Sequence, residues 1–169
     1  MAAFTDLDWT RCDVDAIVNG RGVGVVEPLS ADSCRSWLKA QGYVVEQLDC
    51  GAGVGPAVAH LGNRLRWEDQ FGYSLDPASR NLDALRDGFL SEQWESNAFV
   101  LEVHHAELAW REDPRWFLGL LAIAQEHSLC RLALGHRFLT LLILEAASPL
   151  VGQTIETTSV RRPFWRPRS

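Results

Sequence analysis

The sequence predicts an α/β domain with a small parallel β-sheet of about three core strands packed against helices. Residues 98–103 and 138–144 form two nearly continuous apolar segments, which are typical of strands buried on both faces. Residues 116–127 lie between them and have the length and composition of a buried helix. A strand, a helix and a strand in this order predict a right-handed βαβ unit. The chain of 169 residues is also of a length that one hydrophobic core can support.

Two further strands are predicted at the N-terminus, at residues 15–19 and 22–27, joined by a turn at Asn19-Gly20. They would form an N-terminal β extension of the domain. Ser30 has the side chain of a helix N-cap, and Gly42 predicts the end of that helix because glycine readily adopts the left-handed conformation. Residues 43–48 alternate enough to be a core strand.

The middle of the chain predicts two more helices. Residues 51–55 form a glycine-rich turn, and Pro56 suits the first turn of the helix that follows. Asp76-Pro77 predicts the start of another helix, which ends near Gly88. The buried stripe of that helix is predicted from apolar residues at helical spacing, namely Ala78, Leu82, Leu85 and Phe89.

The domain is predicted to span residues 1–148, with its core at about 15–145, and residues 149–169 are predicted to be a basic, flexible tail. Four of the 16 basic residues lie in the last nine positions, at Arg161, Arg162, Arg166 and Arg168. Residues 1–160 therefore hold 12 basic and 22 acidic residues, a net charge of −10 with neutral histidines. An acidic body favours solubility, and it can also steer a cationic partner toward the protein.

Composition argues against direct nucleic-acid binding, membrane insertion and metal binding. Lys39 is the only lysine, whereas phosphate contacts need clustered basic residues. The longest uncharged apolar stretches fall short of the roughly 18–20 residues that a bilayer requires. Dispersed cysteines and the lack of a recognisable secretion signal favour a cytoplasmic protein with reduced thiols. His104 and His105 would point to opposite faces of a strand, so we expect no metal site and no cofactor.

Two carboxylates lie on the outer face of the helix that ends near Gly88. Asp83 and Asp87 are one turn apart and roughly 130–170° from the centre of the buried stripe. Like charges at this spacing cost a helix a few tenths of a kcal/mol. The pair is either an ordinary solvated face or a surface that binds a cationic group, and the spacing alone leaves both interpretations open.

Residues 81–87, Asn-Leu-Asp-Ala-Leu-Arg-Asp, resemble the signature of the barstar family, the intracellular inhibitors of barnase-type ribonucleases. Residues 37–49 are similar to the family's first helix and its exit, residues 99–102 to the strand after the signature, and residues 138–144 to the last strand. These segments follow the family's order over about residues 15–145. The resemblance implies a barstar-like fold, a non-catalytic monomer, and a ribonuclease or nuclease toxin with a basic active site as its partner.

The resemblance also implies which residues bind the partner. Asp83 and Asp87 match the two helix aspartates that take the place of substrate phosphate in a ribonuclease active site, and Trp94 matches an aromatic residue that flanks this interface. The remaining candidates are Asn81 and Arg86 within the signature, Tyr73 in the aromatic turn before it, and Glu126. Glu126 lies one turn after Ile123, the position nearest to a glutamate that the family's founding member contributes from its last helix. The sequence departs from the family pattern at two places, which favours a partner different from that of the family's founding member. Arg86 replaces a residue that is commonly aromatic in the family, and the Phe71-Gly72-Tyr73 turn lies further from the signature than in the family.

Two other functional classes stay open. The first is a barstar-like regulatory module whose partner is not a nuclease, and the basic aromatic tail would serve it. The second is a small cysteine-dependent hydrolase, with His104, His105 or His127 as its base. No cysteine lies in a glycine-rich elbow, and Cys34 falls on a buried helical face, so we expect buried, inert thiols.

Overall fold

The computed structural model describes residues 11–91, 96–155 and 158–160. Within these residues four strands form one parallel sheet in the order β1-β4-β3-β2, which confirms the α/β class. The strands of this sheet are β1 (Val23–Val26), β2 (Val44–Asp49), β3 (Ala98–His104) and β4 (Arg137–Ile143). The helices are α1 (Cys12–Val18), α2 (Ala31–Ala40), α3 (Val54–Arg64), α4 (Trp67–Phe71), α5 (Leu82–Ser91), α6 (Ala106–Glu112) and α7 (Pro114–Ala133).

Helices cover both faces of the sheet. Side chains of α1 and α2 pack on one face, and those of α3 to α7 pack on the other. The central strand β3 is therefore buried on both sides, and every residue from 98 to 103 is buried. On the side of α5 and α7, the rings of Phe99 and Phe138 stack with their centroids 5.7 Å apart. The strands predicted at residues 22–27, 43–48, 98–103 and 138–144 are confirmed, and the first of them, β1, pairs with β4.

A histidine lies in the core between α7 and the sheet. His127 is 3% exposed, and its ring meets Phe89 at 5.5 Å and Phe138 at 4.7 Å, both in edge-to-face geometry. Burial, assisted by the charge of Arg131, lowers the pKa of His127 to about 3. The imidazole is therefore neutral at physiological pH and fills the core as an aromatic ring.

The predicted N-terminal β extension is wrong, because only its second strand forms, as β1, and residues 15–18 belong to helix α1. Asp13 lies in the first turn of α1 and is completely buried. Its carboxylate accepts two hydrogen bonds from the guanidinium of Arg11 (3.0 and 2.7 Å) and one from the hydroxyl of Tyr43 (2.7 Å). Val14 and Ile17 are buried at the three-residue spacing of a helix, which a strand would place on opposite faces. No hairpin forms, and β1 joins the main sheet instead.

The helix that carries the barstar-like signature begins later than predicted, at Leu82 and not at Pro77. Residues 77–79 form a turn in which the Asp76 carboxylate accepts a hydrogen bond from the N–H of Ala78 (2.9 Å). Arg80 then adopts a left-handed φ of 48°, which a right-handed helix does not accommodate. Ala78 is consequently exposed and does not belong to the buried stripe of α5.

The predicted domain boundary at residue 148 is wrong for the first part of the tail. Leu150, Ile155 and Val160 are at most 2% exposed and lie in the same core as the inner face of α7. Two short strands, β5 (Thr154–Ile155) and β6 (Thr158–Ser159), pair in antiparallel fashion. Apolar residues five positions apart give no helical or strand period, which is why this segment is not recognisable in the sequence. Residues 161–169 lie outside the described residues.

Gly88→Ala is expected to destabilise the fold by about 1–3 kcal/mol. A Cβ at residue 88 would lie 2.6 Å from Cζ3 of Trp67 and 3.2 Å from Cδ1 of Leu65, and both side chains are buried. Gly55→Ala is the control, because a Cβ there meets no atom within 4 Å and alanine is the better helix former. Urea unfolding measures both variants. Equal stability of Gly88→Ala and the wild type would contradict the close approach of α4 and α5.

Because His127 is buried, the free energy of unfolding is expected to fall by about 1.5 kcal/mol between pH 6.5 and pH 5. The unfolded chain binds a proton at this histidine below its ordinary pKa of 6.5, whereas the folded protein resists protonation until about pH 3, so acid favours unfolding. Urea unfolding of His127→Leu across this range should show most of the slope removed. His136→Gln changes a less buried histidine, whose pKa burial also lowers, and should remove a smaller part of the slope. An unchanged slope in His127→Leu would assign the titration to another group.

Candidate partner-binding surface

Helix α5 packs its inner face on the core between α4 and α7. Leu85 is fully buried, and the ring of Phe89 meets that of Phe138 edge-on at 6.1 Å. Gly119 of α7 lies so close to Leu82 that a Cβ there would be 2.4 Å from Cδ1 of Leu82. These contacts fix the rotation of α5 about its own axis, and the rotation decides which of its residues face solvent.

Asp83 and Asp87 lie on the outer face of α5. The side chain of Asp83 is 90% exposed, and Asp87 is also exposed. Side chains at this spacing start from Cβ atoms about 5–6 Å apart. Among the residues that the structure describes, the Asp87 carboxylate makes no hydrogen bond or ion pair. Both carboxylates are therefore displayed to solvent, as their spacing predicts.

Arg86 connects this face of α5 to α7. Its Nε donates a hydrogen bond to Oε2 of Glu126 (2.8 Å), and its Nη1 lies 3.3 Å from Oδ1 of Asp83. The side chains of Arg86 and Glu126 are 40% and 47% exposed, so this ion pair lies at the surface. The structure thus brings Glu126, from forty residues further along the chain, to the edge of the carboxylate pair.

Polar contacts hold the N-terminal end of α5. Oδ1 of Asn81 accepts a hydrogen bond from the N–H of Ala84 (3.1 Å), so this predicted partner-binding residue caps the helix in the free protein. Arg80 donates to Asp113 (3.0 Å) and to Glu112 (2.5 Å) at the junction of α6 and α7. The hydrogen bond to Asp113 is the main reason why the pKa of Arg80 is raised. These contacts account for the left-handed backbone of Arg80 and for the late start of α5.

The junction of α6 and α7 also caps the N-terminus of α3. Oε2 of Glu112 accepts a hydrogen bond from the N–H of Val54 (2.9 Å), and a Cβ at Gly53 would lie only 2.6 Å from that oxygen. An internal carboxylate therefore occupies the position where glycine-rich turns of this kind bind phosphate. Asp113 caps α7 by accepting from the N–H of Trp116 (2.9 Å), and this bond is the main reason why the pKa of Asp113 is lowered.

An aromatic cluster flanks α5 on the side opposite Arg86. The ring of Trp67 lies against the backbone of Gly88, 4.4 Å from the ring centroid of Phe71 and 6.2 Å from that of Tyr73. Tyr73 is 56% exposed and forms the solvent edge of the cluster. Tyr73 therefore lies in an aromatic cluster that packs beside α5, and its contact with a partner stays a prediction.

Two exposed leucines at this surface were not predicted. Leu90 is 50% exposed, three residues after Asp87 and on the same stripe of α5, and Leu129 is 41% exposed, one turn after Glu126 on α7. The i, i+4, i+7 spacing that Leu90 shares with the two aspartates was the available signal in the sequence. No sequence period connects Leu129 to α5. Trp94, the remaining predicted residue, lies outside the described residues.

Three of the thiols, those of the partly buried Cys12 and the buried Cys34 and Cys50, do not have the electrostatics of nucleophiles. Burial raises the pKa of Cys12 to about 11 and the pKa values of Cys34 and Cys50 to about 12. A nucleophilic thiol needs a lowered pKa, which cationic neighbours or a helix N-terminus would supply. Cys130 differs in that it is exposed on α7.

Two histidines proposed as bases pair with carboxylates at the end of β3. Nδ1 of His105 lies 2.7 Å from Oδ1 of Asp49, and this hydrogen bond is the main cause of the lowered pKa of Asp49. Nε2 of His104 lies 2.9 Å from Oε1 of Glu102 without hydrogen-bond geometry. Glu102 also accepts two hydrogen bonds from Arg35. The described residues contain no group of three or more histidine, cysteine or acidic side chains that could hold a metal ion.

No helix in the described ranges combines the length and the apolar character needed to cross a membrane.

Comparisons with protein-family models, with curated proteins and with solved structures find no match to this chain. Its function is therefore inferred from the chemistry of the surface that α5 and α7 form.

Proposed function

We propose that the chain is a barstar-like protein inhibitor of a ribonuclease or nuclease toxin, acting in the cytoplasm and without catalytic activity of its own. The observation that supports this proposal is the pair Asp83 and Asp87, held one turn apart on the outer face of α5 and open to solvent. The pair lies within the segment that resembles the barstar signature, and α5 is followed by a central strand of a parallel sheet, as in the expected order of elements.

The chemistry of such a pair suits a nuclease active site. These sites bind substrate phosphate through cationic side chains, so carboxylates presented at the right spacing can take the place of phosphate. Hydrogen bonds between carboxylates and guanidinium or ammonium groups are roughly twice as strong as neutral ones. Because Asn81 caps α5 and Arg80 anchors the preceding loop, little conformational freedom is lost when the partner binds.

The surroundings of the pair are those of a protein-binding surface. Tyr73 belongs to the aromatic cluster beside α5, Leu90 lies on the same stripe of α5 as the two aspartates, and Leu129 lies on α7, each more than 40% exposed. Aromatic and aliphatic contacts that exclude water around a charged centre strengthen the central ion pairs, because the local dielectric constant falls. A partner that covers this surface would therefore bury both apolar area and the carboxylates.

A regulatory module whose cationic partner is not a nuclease is the second candidate. One observation favours it: the guanidinium of Arg86 stands beside the carboxylates, where the barstar family commonly has an aromatic residue. A cysteine-dependent hydrolase is not favoured, because burial raises the pKa values of Cys12, Cys34 and Cys50.

Asp83→Ala and Asp87→Ala are each expected to weaken inhibition of the target nuclease roughly 30-fold or more, because each removes a carboxylate from the centre of the interface. Both positions are exposed, so the free energy of unfolding should change by less than about 0.5 kcal/mol. The measurement is the inhibition constant against a panel of barnase-type ribonucleases, including nuclease domains encoded beside this chain's gene.

Asp32→Ala is the matched control for these variants. Asp32 is 94% exposed on α2, which covers the opposite face of the sheet, so its replacement removes the same charge far from the proposed interface. It should leave the inhibition constant within about twofold of the wild type. A wild-type chain that inhibits no nuclease of the panel contradicts the proposed function, and full inhibition by the Asp83→Ala, Asp87→Ala double variant contradicts the role of α5.

The association rate with the nuclease is expected to fall at least tenfold between about 10 and 150 mM ionic strength, where the Debye length shrinks from about 30 to about 8 Å. The body of residues 1–160 is acidic and the proposed cleft is basic, so long-range attraction accelerates their encounter. Stopped-flow fluorescence at several salt concentrations measures this rate. The dissociation rate should change much less, and an association rate independent of salt would contradict electrostatic steering.

A further inference from the structure

Arg86 is placed where it could neutralise the surface that the proposed function requires. It follows Asp83 by three residues and precedes Asp87 by one, so its long side chain can reach the carboxylates of α5. In the folded protein it is turned toward α7, where Nε donates to Glu126 at 2.8 Å, and only a longer contact of 3.3 Å joins Nη1 to Asp83. Charge-assisted hydrogen bonds are typically 2.7–2.9 Å long, so the bond to Glu126 is the better formed of the two.

We propose that Glu126 is a positioning residue that holds Arg86 against α7 and so keeps the carboxylates of Asp83 and Asp87 available to the partner. Glu126 is assigned no direct contact with the partner. The inference deepens the proposed function and rests on it for the identity of the partner, but the position of Arg86 can be tested on the isolated protein.

Glu126 changes the net charge around the carboxylates of α5. Three carboxylates and one guanidinium lie together, so Asp83, Asp87, Glu126 and Arg86 carry a net charge of −2. Without Glu126 the net charge is −1, and the guanidinium has only the aspartates of α5 left as anionic neighbours within this group. A partner cation would then compete with an internal cation that is permanently attached to the same helix.

The other contacts of α5 do not restrain Arg86 in this way. Arg80 is fixed to Asp113 and Glu112 at the other end of the helix, and the inner face of α5 is held by Leu85 and Phe89 in the core. Replacing Glu126 therefore leaves α5 in place and frees one side chain. Because Glu126 is half-exposed on a long helix, Glu126→Ala is expected to fold normally.

The first test follows the side-chain carboxyl resonances of Asp83 and Asp87 by NMR at neutral pH in four proteins: wild type, Glu126→Ala, Arg86→Gln and the double variant. Arg86 that is freed from Glu126 moves closer to the aspartates of α5, so Glu126→Ala should shift the carboxyl resonance of Asp83. The same replacement in the Arg86→Gln background should have a clearly smaller effect, because only the direct influence of the Glu126 charge remains. Equal shifts in both backgrounds would overturn the inference.

The second test measures inhibition of the target nuclease by the same four proteins. Glu126→Ala should weaken inhibition about tenfold in the wild-type background and less than twofold in the Arg86→Gln background. Equal losses in both backgrounds would mean that Glu126 contacts the partner directly, which contradicts the inference. Glu107→Ala, which removes the partner of Arg111 on α6, is the control for net charge and should change nothing.

Together the two tests separate the inference from the proposed function. If no nuclease is inhibited but the shifts of the carboxyl resonances depend on Arg86 as described, the proposed function fails while the positioning role of Glu126 stands. If a nuclease is inhibited but the carboxyl resonances show no dependence on Arg86, the positioning role fails alone.

Discussion

The packing of Phe89 against His127 and Phe138 determines the orientation of α5, and the candidate surface depends on that orientation. The three rings meet edge-to-face, with centroids 4.7–6.1 Å apart, in a core where His127 stays neutral because burial lowers its pKa. Aromatic pairs of this geometry stabilise a core beyond the area that they bury. A rotation of α5 by one residue, about 100°, would expose Phe89 and carry a carboxylate toward the core, which costs several kcal/mol.

The carboxylates of the protein lie in two different environments. Asp13 and Glu102 are buried in the layer between the sheet and α1 and α2, and each accepts paired hydrogen bonds from a guanidinium, Arg11 for the first and Arg35 for the second. Removing one partner from such a buried pair leaves a charge without compensation, so these groups serve the fold. The carboxylates of α5 lie in water, and the nearest guanidinium is directed toward α7. Their exposure therefore does not result from a lack of arginines nearby.

The sequence allowed the parallel core and the outward aspartates to be predicted because both depend on local patterns. Continuous apolar runs specified β3 and β4, and a spacing of four residues placed Asp83 and Asp87 on one face. The errors arose where distant contacts decide the structure. Helix α1 is stabilised by Asp13 bonding Tyr43, thirty residues away, and the start of α5 is set by Arg80 bonding Asp113, thirty-three residues away. No local period carries that information. Glu126 became a candidate only through the family resemblance, and its hydrogen bond with Arg86 also joins residues that are distant in the sequence.

In the proposed interface, the repulsion between Asp83 and Asp87 would favour a cationic partner over a neutral one. Two charges about 6 Å apart repel by about 0.7 kcal/mol in water but by about 3 kcal/mol at an effective dielectric constant of 20, which is typical near a protein surface. A neutral partner that covers the pair would raise this repulsion and remove water from both carboxylates. Cationic groups of a partner that reach between the two carboxylates would attract both of them and so compensate for their repulsion. The more completely the flanking apolar residues exclude water, the larger the difference becomes, so this surface discriminates against neutral partners most strongly when it is fully buried.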